Sequence, residues 1–255
     1  MAGLFDKQAE AYLDSRPTYL AEWYSMLADR TSSHSLAWDV GTGNGQAAIG
    51  VSLPFIYSIV ESSFLIPCCL LWKSLIRVFC IVDAQLKLAK PHALVRYVHT
   101  PLSLSDDELV KLIGGENCVD LVTVAEAVHW FDLPRLYSVV NRVLRKPDGA
   151  FAVWGYNDAA ITPEMDTLPF PFKGVGLGSE GSPLKVDIPK EVSFDGVLGM
   201  LKSWSAVILK REREGLDGGA GLVEASQAEV AGHVAPAGAA VVAPKRSSYP
   251  GRRLN

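Results

Sequence analysis

The sequence predicts an α/β fold in which a mostly parallel sheet is flanked by helices. Short apolar runs of strand type alternate with helical patterns along residues 37–154, and one run ends directly in a glycine-rich turn. A hydrophobic content of 49% over 255 residues is enough to bury a sizeable core. Because helical crossovers are what join parallel strands, this alternation favours a parallel sheet.

The first predicted elements are a helix within residues 18–29 and a strand at residues 37–40. Apolar side chains recur at helical spacing in the first segment, at Leu20, Trp23, Met26 and Leu27. The second segment runs into glycines, as a buried strand does when it ends in a tight turn. The pair therefore predicts a helix, a strand and a strand-to-loop junction.

Two further strands are predicted at residues 95–99 and 119–124. The first alternates between apolar and polar side chains. The second is a short β-branched apolar run, which suits a sheet that is buried on both faces.

A helix and a final strand follow. Asp132 can cap the helix, and Pro134 falls in its first turn. Apolar residues continue at steps of three and four until residues 147–149 stop the helix, at Leu136, Val139, Val140, Val143 and Leu144. The strand at residues 150–154 comes directly afterwards.

Charge and cysteine content exclude several classes of function. Lys and Arg number 24 against 28 Asp and Glu, for a net charge of −4, so no broad cationic face is available for nucleic acid. The four cysteines have no C-x-x-C spacing and the five histidines no H-x-x-x-H helix, which argues against a disulfide framework or a metal site. The polar first residues lack the apolar region of a secretory signal, so we expect a cytoplasmic protein.

Two segments depart from the regular pattern. Residues 53–82 are strongly apolar, but Glu61, Pro67, Lys73 and Arg77 interrupt them, which favours an insert over a membrane span. Residues 208–255 become rich in alanine and glycine, and this composition predicts a disordered tail.

The most informative segment is the run of residues 39–48, a strand end followed by G-x-G-x-G and a small-residue helix start. Glycines let the backbone turn sharply and approach a ligand closely, and the free N–H groups of a helix start favour an anionic group. Gln46 stands where the dinucleotide fingerprint has its third glycine. The segment predicts a site for a nucleotide-like cofactor.

Four segments in order carry a family resemblance, namely residues 5–19, 39–46, 125–131 and 143–149. With them the chain resembles the class I S-adenosylmethionine-dependent methyltransferases, most of all the plant and fungal type 11, trans-aconitate methyltransferase-like group. The resemblance covers residues 1–51 and 83–207, and it implies a Rossmann-like methyltransferase domain with a core at 36–156. The family's last strand has no counterpart, and the lid region at 157–207 is shortened after Asp166.

The resemblance also implies roles for individual residues. The glycine loop would wrap the methionine part of S-adenosylmethionine through Gly41, Thr42, Gly43 and Gly45. The segment after the fourth strand would line the cofactor and acceptor pocket through Ala125, Glu126 and His129. An N-terminal segment would close over the cofactor through Tyr12, Arg16 and Tyr19. For His129 an ordinary role as a hydrogen-bonded core histidine is the alternative.

An acidic residue at the end of the second strand holds the ribose hydroxyls in these folds. If residues 55–60 are that strand, Glu61 stands at its end and can serve. If the strand is instead residues 75–82, the acid position falls near Cys80 and the contact is lost. We favour Glu61.

The function implied is methyl transfer to a small-molecule acceptor, with O-methylation of a carboxylate or a hydroxyl favoured. A hydroxyl would need a general base, for which His129 or Glu126 is the nearest candidate in sequence. Two alternatives stay open. One is an impaired or non-catalytic product of a retained intron spanning residues 52–82, and the other is a nicotinamide-dependent oxidoreductase. We expect neither nucleic acid nor a membrane as partner.

Overall fold

The computed structural model describes residues 19–52, 89–101, 103–155 and 168–184, together with the backbone of strands at 75–80, 187–188 and 237–238. Three predicted site residues, Tyr12, Arg16 and Glu61, lie outside these ranges, as does most of the predicted tail. None of the helices in the described part of the chain has the length and apolar character needed to span a bilayer.

The described chain alternates strands and helices as expected. In order, the elements are α1 (Ala21–Ala28), β1 (Leu36–Val40), α2 (residues 46–52), β2 (Leu75–Cys80), β3 (Val95–His99), α3 (Asp106–Ile113), β4 (Leu121–Ala125), a 3₁₀ turn (Val128–Trp130), α4 (Leu133–Val143) and β5 (Ala150–Trp154). Short strands follow at β6 (Gly178–Ser179), β7 (Ser182–Pro183), β8 (Asp187–Ile188) and β9 (Ala237–Gly238). Strand β9, within the predicted tail, pairs antiparallel with β8.

Five strands form one sheet in the order β3-β2-β1-β4-β5, and every neighbouring pair is parallel. The chain moves outward from β1 through β2 to β3, and then returns to lay β4 on the other side of β1. This reversal creates a topological switch point between β1 and β4, where open α/β sheets bind their ligands. The predicted parallel α/β architecture is confirmed.

The sheet is covered by helices on both faces. Successive side chains of a strand point to opposite sides, so the apolar side chains on each face pack against helices. Helices α1 and α2 pack on the face that contains Ala37 and Trp154. Helices α3 and α4 pack on the face that contains Trp38 and Phe151. Burial on both faces explains why β4 and β5 read as nearly continuous apolar runs.

Local signals set the helix starts on the second face. The Ser105 side chain accepts the Glu108 N–H at 3.3 Å, and the Glu108 carboxylate accepts the Ser105 N–H at 2.9 Å, which forms a capping box at α3. Asp132 caps α4 by accepting the Arg135 N–H at 3.0 Å, with Pro134 in the first turn. The predicted start of this helix is therefore confirmed.

A buried carboxylate joins β1 and β4 at their amino ends, opposite the switch point. Asp120, 1% exposed, accepts the N–H groups of Ser35 and Leu36 at 2.8 and 2.9 Å and pairs with the Arg145 guanidinium. Arg145 also donates to the Cys118 carbonyl at 3.0 Å. The motif at residues 143–149 thus has a structural role in this fold.

Three expectations need correction. The second strand is Leu75–Cys80, since this segment pairs with β1 in register, so the preference for residues 55–60 was wrong and the strand end near Cys80 applies instead. Leu20 is 39% exposed and Tyr24 takes its place in the buried face of α1. Strand β4 begins at Leu121, because Val119 forms only an isolated bridge to Leu144.

The described part of the predicted lid region, residues 168–184, packs onto the core. Phe170 stacks on Phe151 with ring centroids 5.3 Å apart, and the Tyr137 hydroxyl donates to the Pro169 carbonyl at 2.6 Å. Leu177, 2% exposed, belongs to the core on the opposite face. The segment therefore contributes to both layers of the domain.

Candidate cofactor and active site

The candidate site lies at the carboxyl ends of β1 and β4, at the switch point of the sheet. Pairing of Asp39 with Thr123 in the register of these strands brings the loops that follow them together. One is the glycine loop, residues 41–45, and the other is the segment at residues 126–131. Both were predicted to belong to the site, and the fold places them side by side.

The glycine loop requires glycine for backbone and steric reasons. Gly41, Gly43 and Gly45 have φ values of +69°, +59° and +86°, which side chains other than glycine rarely adopt. A Cβ on Gly41 would also lie 2.8 Å from the Cβ of Ala127 and 3.2 Å from the ring of Phe131. The two loops of the site are therefore in direct contact.

The loop leads into helix α2 through its own hydrogen bonds. The Gly45 N–H donates to the Thr42 carbonyl at 3.0 Å, and the Ile49 N–H donates to the Gly45 carbonyl at 3.0 Å. The first N–H groups of a helix have no intrahelical acceptor, so the start of α2 can receive anionic or polar ligand atoms.

Asp39, at the end of β1, is the charged group buried beneath this loop. It is 0% exposed, and Thr123 donates to its Oδ1 at 2.6 Å. Burial raises the pKa of Asp39 to about 6, although the hydroxyls of Thr123 and Thr42 act in the opposite direction. The Thr42 hydroxyl is near this carboxylate without a well-formed hydrogen bond to it.

Among the described residues, three buried polar atoms around the loop lack a well-formed hydrogen bond, namely Asp39 Oδ2, Thr42 Oγ1 and Asn44 Nδ2. Buried polar groups are nearly always paired, so a cluster of unpaired ones indicates a place for a polar ligand. One carboxylate, one hydroxyl and one amide donor suit the ammonium and carboxylate groups of an amino acid, such as the methionine part of S-adenosylmethionine. The residues present therefore fit that cofactor.

Asp39 and Asn44 were not among the predicted cofactor residues, although both lie in the glycine-rich segment at residues 39–48. The signal that could have identified Asp39 is an acid at the end of a buried strand, directly before a glycine loop. Tyr97 carried no such signal. It reaches the loop from β3, and a Cβ on Gly45 would lie 2.3 Å from its hydroxyl.

Ala125 ends β4, and Glu126 follows it in a left-handed backbone conformation with φ of +56°. The Glu126 N–H donates to the Trp154 carbonyl at 2.9 Å, which ties this turn to the end of β5. Its carboxylate lies against Gly155, where an added Cβ would stand 3.2 Å from Oε1. A strained non-glycine residue at a ligand-binding edge is typical of a functional position.

His129 lies on the 3₁₀ turn that follows, and its side chain is exposed. Its ring is tilted against that of Trp130, with centroids 4.8 Å apart. The alternative of a core histidine is therefore wrong, because this histidine is on the surface next to the site.

Tyr19 is the one member of the predicted N-terminal closing segment that lies in the described ranges. Its ring meets that of Trp154 edge-to-face at 5.5 Å, and that of Tyr24 at 6.4 Å. Since Trp154 ends β5 beside β4, Tyr19 lies near the same edge of the sheet as Glu126.

Comparisons with known proteins agree with this geometry. No family model matches the chain. A Dictyostelium discoideum protein named as a methyltransferase is 28% identical over 227 residues, which cover 79% of this chain and 76% of that protein. A Saccharomyces cerevisiae protein named as an S-adenosylmethionine-dependent methyltransferase is 28% identical over 161 residues, or 62% of this chain and 47% of that protein.

A solved structure extends the comparison to the fold. A type II methyltransferase from Anaeromyxobacter dehalogenans superposes with a TM-score of 0.61 at 25% identity, covering 90% of this chain and 97% of that one. The chain spans about half the length of the yeast relative and most of the length of the other two.

Proposed function

We propose that this chain is a class I S-adenosylmethionine-dependent methyltransferase that methylates an oxygen atom of a small-molecule acceptor. The observation that carries the cofactor assignment is the cluster of unpaired buried polar atoms beneath a glycine loop at the switch point of the sheet. The family resemblance of the residues after β4 supports the acceptor assignment.

The residues around the loop have separate roles in this proposal. Gly41, Thr42, Gly43 and Gly45 enclose the methionine part of the cofactor, and Asp39 accepts from its ammonium group. When bound, the cofactor supplies an electrophilic methyl group on a sulfonium. The chain then has to align an acceptor oxygen and exclude water, which can account for much of the rate acceleration.

Binding of S-adenosylhomocysteine, measured by calorimetric titration, tests the cofactor site. We expect micromolar affinity for the purified chain and its loss in Gly43→Asp, because the added side chain enters the loop. Gly181→Asp is the matched control, since Gly181 also has a positive φ, +72°, and open space where a Cβ would be added. A folded chain that binds no S-adenosylhomocysteine would support the alternative of an impaired product.

Whether the acceptor is a carboxylate or a hydroxyl can be decided by testing whether catalysis needs Glu126 as a general base. A carboxylate acceptor is already ionised and needs no base, whereas a hydroxyl acceptor must lose its proton as the new carbon–oxygen bond forms. We propose that Glu126 takes that proton, since it stands at the end of β4 in a conformation fixed by the Trp154 carbonyl. His129 is the second candidate for this role.

A panel of small carboxylic acids and hydroxyl compounds, incubated with ¹³C-methyl-labelled cofactor and analysed by mass spectrometry, identifies the acceptor. For a hydroxyl acceptor, Glu126→Gln should lower kcat by ~10²-fold or more with little change in KM. For a carboxylate acceptor, the same variant should leave kcat nearly unchanged. Loss of activity in His129→Ala but not in Glu126→Gln would assign the base to His129.

The end of β2 at Cys80 changes the assignment of the ribose-binding acid. With this strand end the acid position falls near Cys80, and we infer that the ribose contact expected of Glu61 is lost. Each hydrogen bond to a charged acceptor contributes about 1.5–3 kcal/mol, so the affinity for S-adenosylhomocysteine should be lower by roughly tenfold or more without this acid.

A further inference from the structure

Tyr97 is a residue of β3 that reaches the cofactor loop from two strands away. Strand β2 separates β3 from β1, yet the Tyr97 phenol lies directly over Gly45. A Cβ on Gly45 would stand 2.3 Å from the Tyr97 hydroxyl oxygen, 2.6 Å from Cε1 and 2.8 Å from Cζ. The ring thus fills the space beside a backbone position that has no side chain of its own.

The phenol is held in this position by its own contacts. Its hydroxyl donates to the Lys90 carbonyl at 3.0 Å, and the ring packs against the core under α1 and α2. Burial raises the pKa of Tyr97, and the nearby charge of Asp39 raises it further, so the hydroxyl stays protonated and remains a donor. The phenol is therefore held in place by contacts outside the glycine loop.

Gly45 is the loop residue whose backbone conformation the ring can restrict. Its φ of +86° is one of several conformations open to glycine, and it links the Thr42 turn to the first turn of α2. A neighbouring ring that excludes the other backbone conformations of Gly45 orders the loop before any ligand binds. Ordering a site before binding strengthens the binding.

We propose that Tyr97 is a positioning residue that holds the glycine loop in its ligand-binding conformation through ring contact with Gly45. This inference rests on the proposed function, because it concerns the same cofactor site. Tyr97 acts through Gly45 and is not assigned a contact with the reacting atoms.

Calorimetric titration of S-adenosylhomocysteine into Tyr97 variants tests the proposal. Tyr97→Ala and Tyr97→Leu should weaken binding by roughly tenfold, which corresponds to ordering about one backbone residue. Tyr97→Phe keeps the ring and should restore affinity to within about threefold of the original chain. A Tyr97→Phe variant as weak as Tyr97→Ala would overturn the role assigned to the ring.

A double variant tests the contact itself. Gly45→Ala alone combines strain at positive φ with a clash against the phenol, and it should weaken binding more than Tyr97→Ala does. Gly45→Ala with Tyr97→Ala removes the clash, so the double variant should bind no more weakly than Gly45→Ala. If the loss of binding free energy in the double variant equals the sum of the losses in the two single variants, the residues do not interact and the proposal is wrong.

Two further measurements separate this inference from the cofactor assignment. Hydrogen–deuterium exchange without cofactor should be about tenfold faster at residues 41–49 in Tyr97→Ala, a result that does not depend on cofactor binding. Tyr137→Ala is the matched control, because Tyr137 is a half-buried tyrosine that donates to a carbonyl on the other face of the sheet. It should leave exchange at residues 41–49 unchanged, and unchanged exchange in Tyr97→Ala would overturn the proposal.

Discussion

Asp39→Asn should stabilise the cofactor-free protein at neutral pH. The Asp39 carboxyl is fully buried, and its pKa rises from 3.8 to about 6 on folding. Between these two pH values the folded state holds a proton that the unfolded state has released, so stability falls as the pH rises. The difference between the two pKa values corresponds to about 3 kcal/mol of the free energy of unfolding. This contribution is fully lost once the pH is above about 6 to 7. Asparagine keeps the oxygen that accepts from Thr123 and removes the charge.

Urea unfolding at several pH values between 4 and 8 measures this effect. Asp39→Asn should be more stable than the original chain by up to about 3 kcal/mol at pH 7, with a difference that vanishes toward pH 4. The same variant should bind S-adenosylhomocysteine more weakly if Asp39 accepts from the ammonium group of the cofactor, as proposed above. The carboxylate would thus cost stability in exchange for function.

Asp120→Asn is the matched control for this experiment. Asp120 is as buried as Asp39, but it is paired with Arg145 and accepts two backbone N–H groups. Removing its charge should therefore destabilise the protein at pH 7. Equal pH dependence of unfolding in Asp39→Asn and the original chain would refute the reasoning.

Three other substitutions have expected effects of known direction. Arg145→Met should lower the free energy of unfolding by about 2–3 kcal/mol, because the buried Asp120 carboxylate loses a charged donor; urea unfolding measures this, and an unchanged midpoint would contradict it. Ser105→Ala should cost about 1 kcal/mol by removing the capping box of α3, seen as a lower melting temperature, whereas no shift would mean that the cap is dispensable. Glu126→Gly should raise the free energy of unfolding by about 1 kcal/mol through relief of its left-handed backbone while lowering kcat, and a stability loss would argue against strain.

Local sequence patterns predicted the strands and helices that depend on local physics. Strands at residues 95–99 and 150–154 match β3 and β5 in full, since alternation and apolar runs directly reflect the pleat and burial of a strand. Helix α4 was predicted from its cap and its apolar spacing. The second strand was misplaced, because residues 55–60 and 75–82 are both apolar and only pairing with β1 distinguishes them.

The same division holds within the candidate site. Gly41, Gly43 and Gly45 were predicted from the G-x-G-x-G pattern, and all three have positive φ values, which restrict these positions to glycine. The exposed position of His129 on the 3₁₀ turn emerged only from the fold, because its apolar neighbours gave no indication of which side chains are buried.

By itself, the sequence determined the parallel α/β class, and it predicted the glycine loop at the end of β1 and the segment after β4 as the parts of one candidate site. These follow from spacing and residue type over short stretches. The tertiary structure alone decided that Asp39 lies against Thr123, that Tyr97 covers Gly45 and that Arg145 reaches Asp120. Such contacts join residues far apart in the chain, and strand order and register set them, which no local pattern encodes.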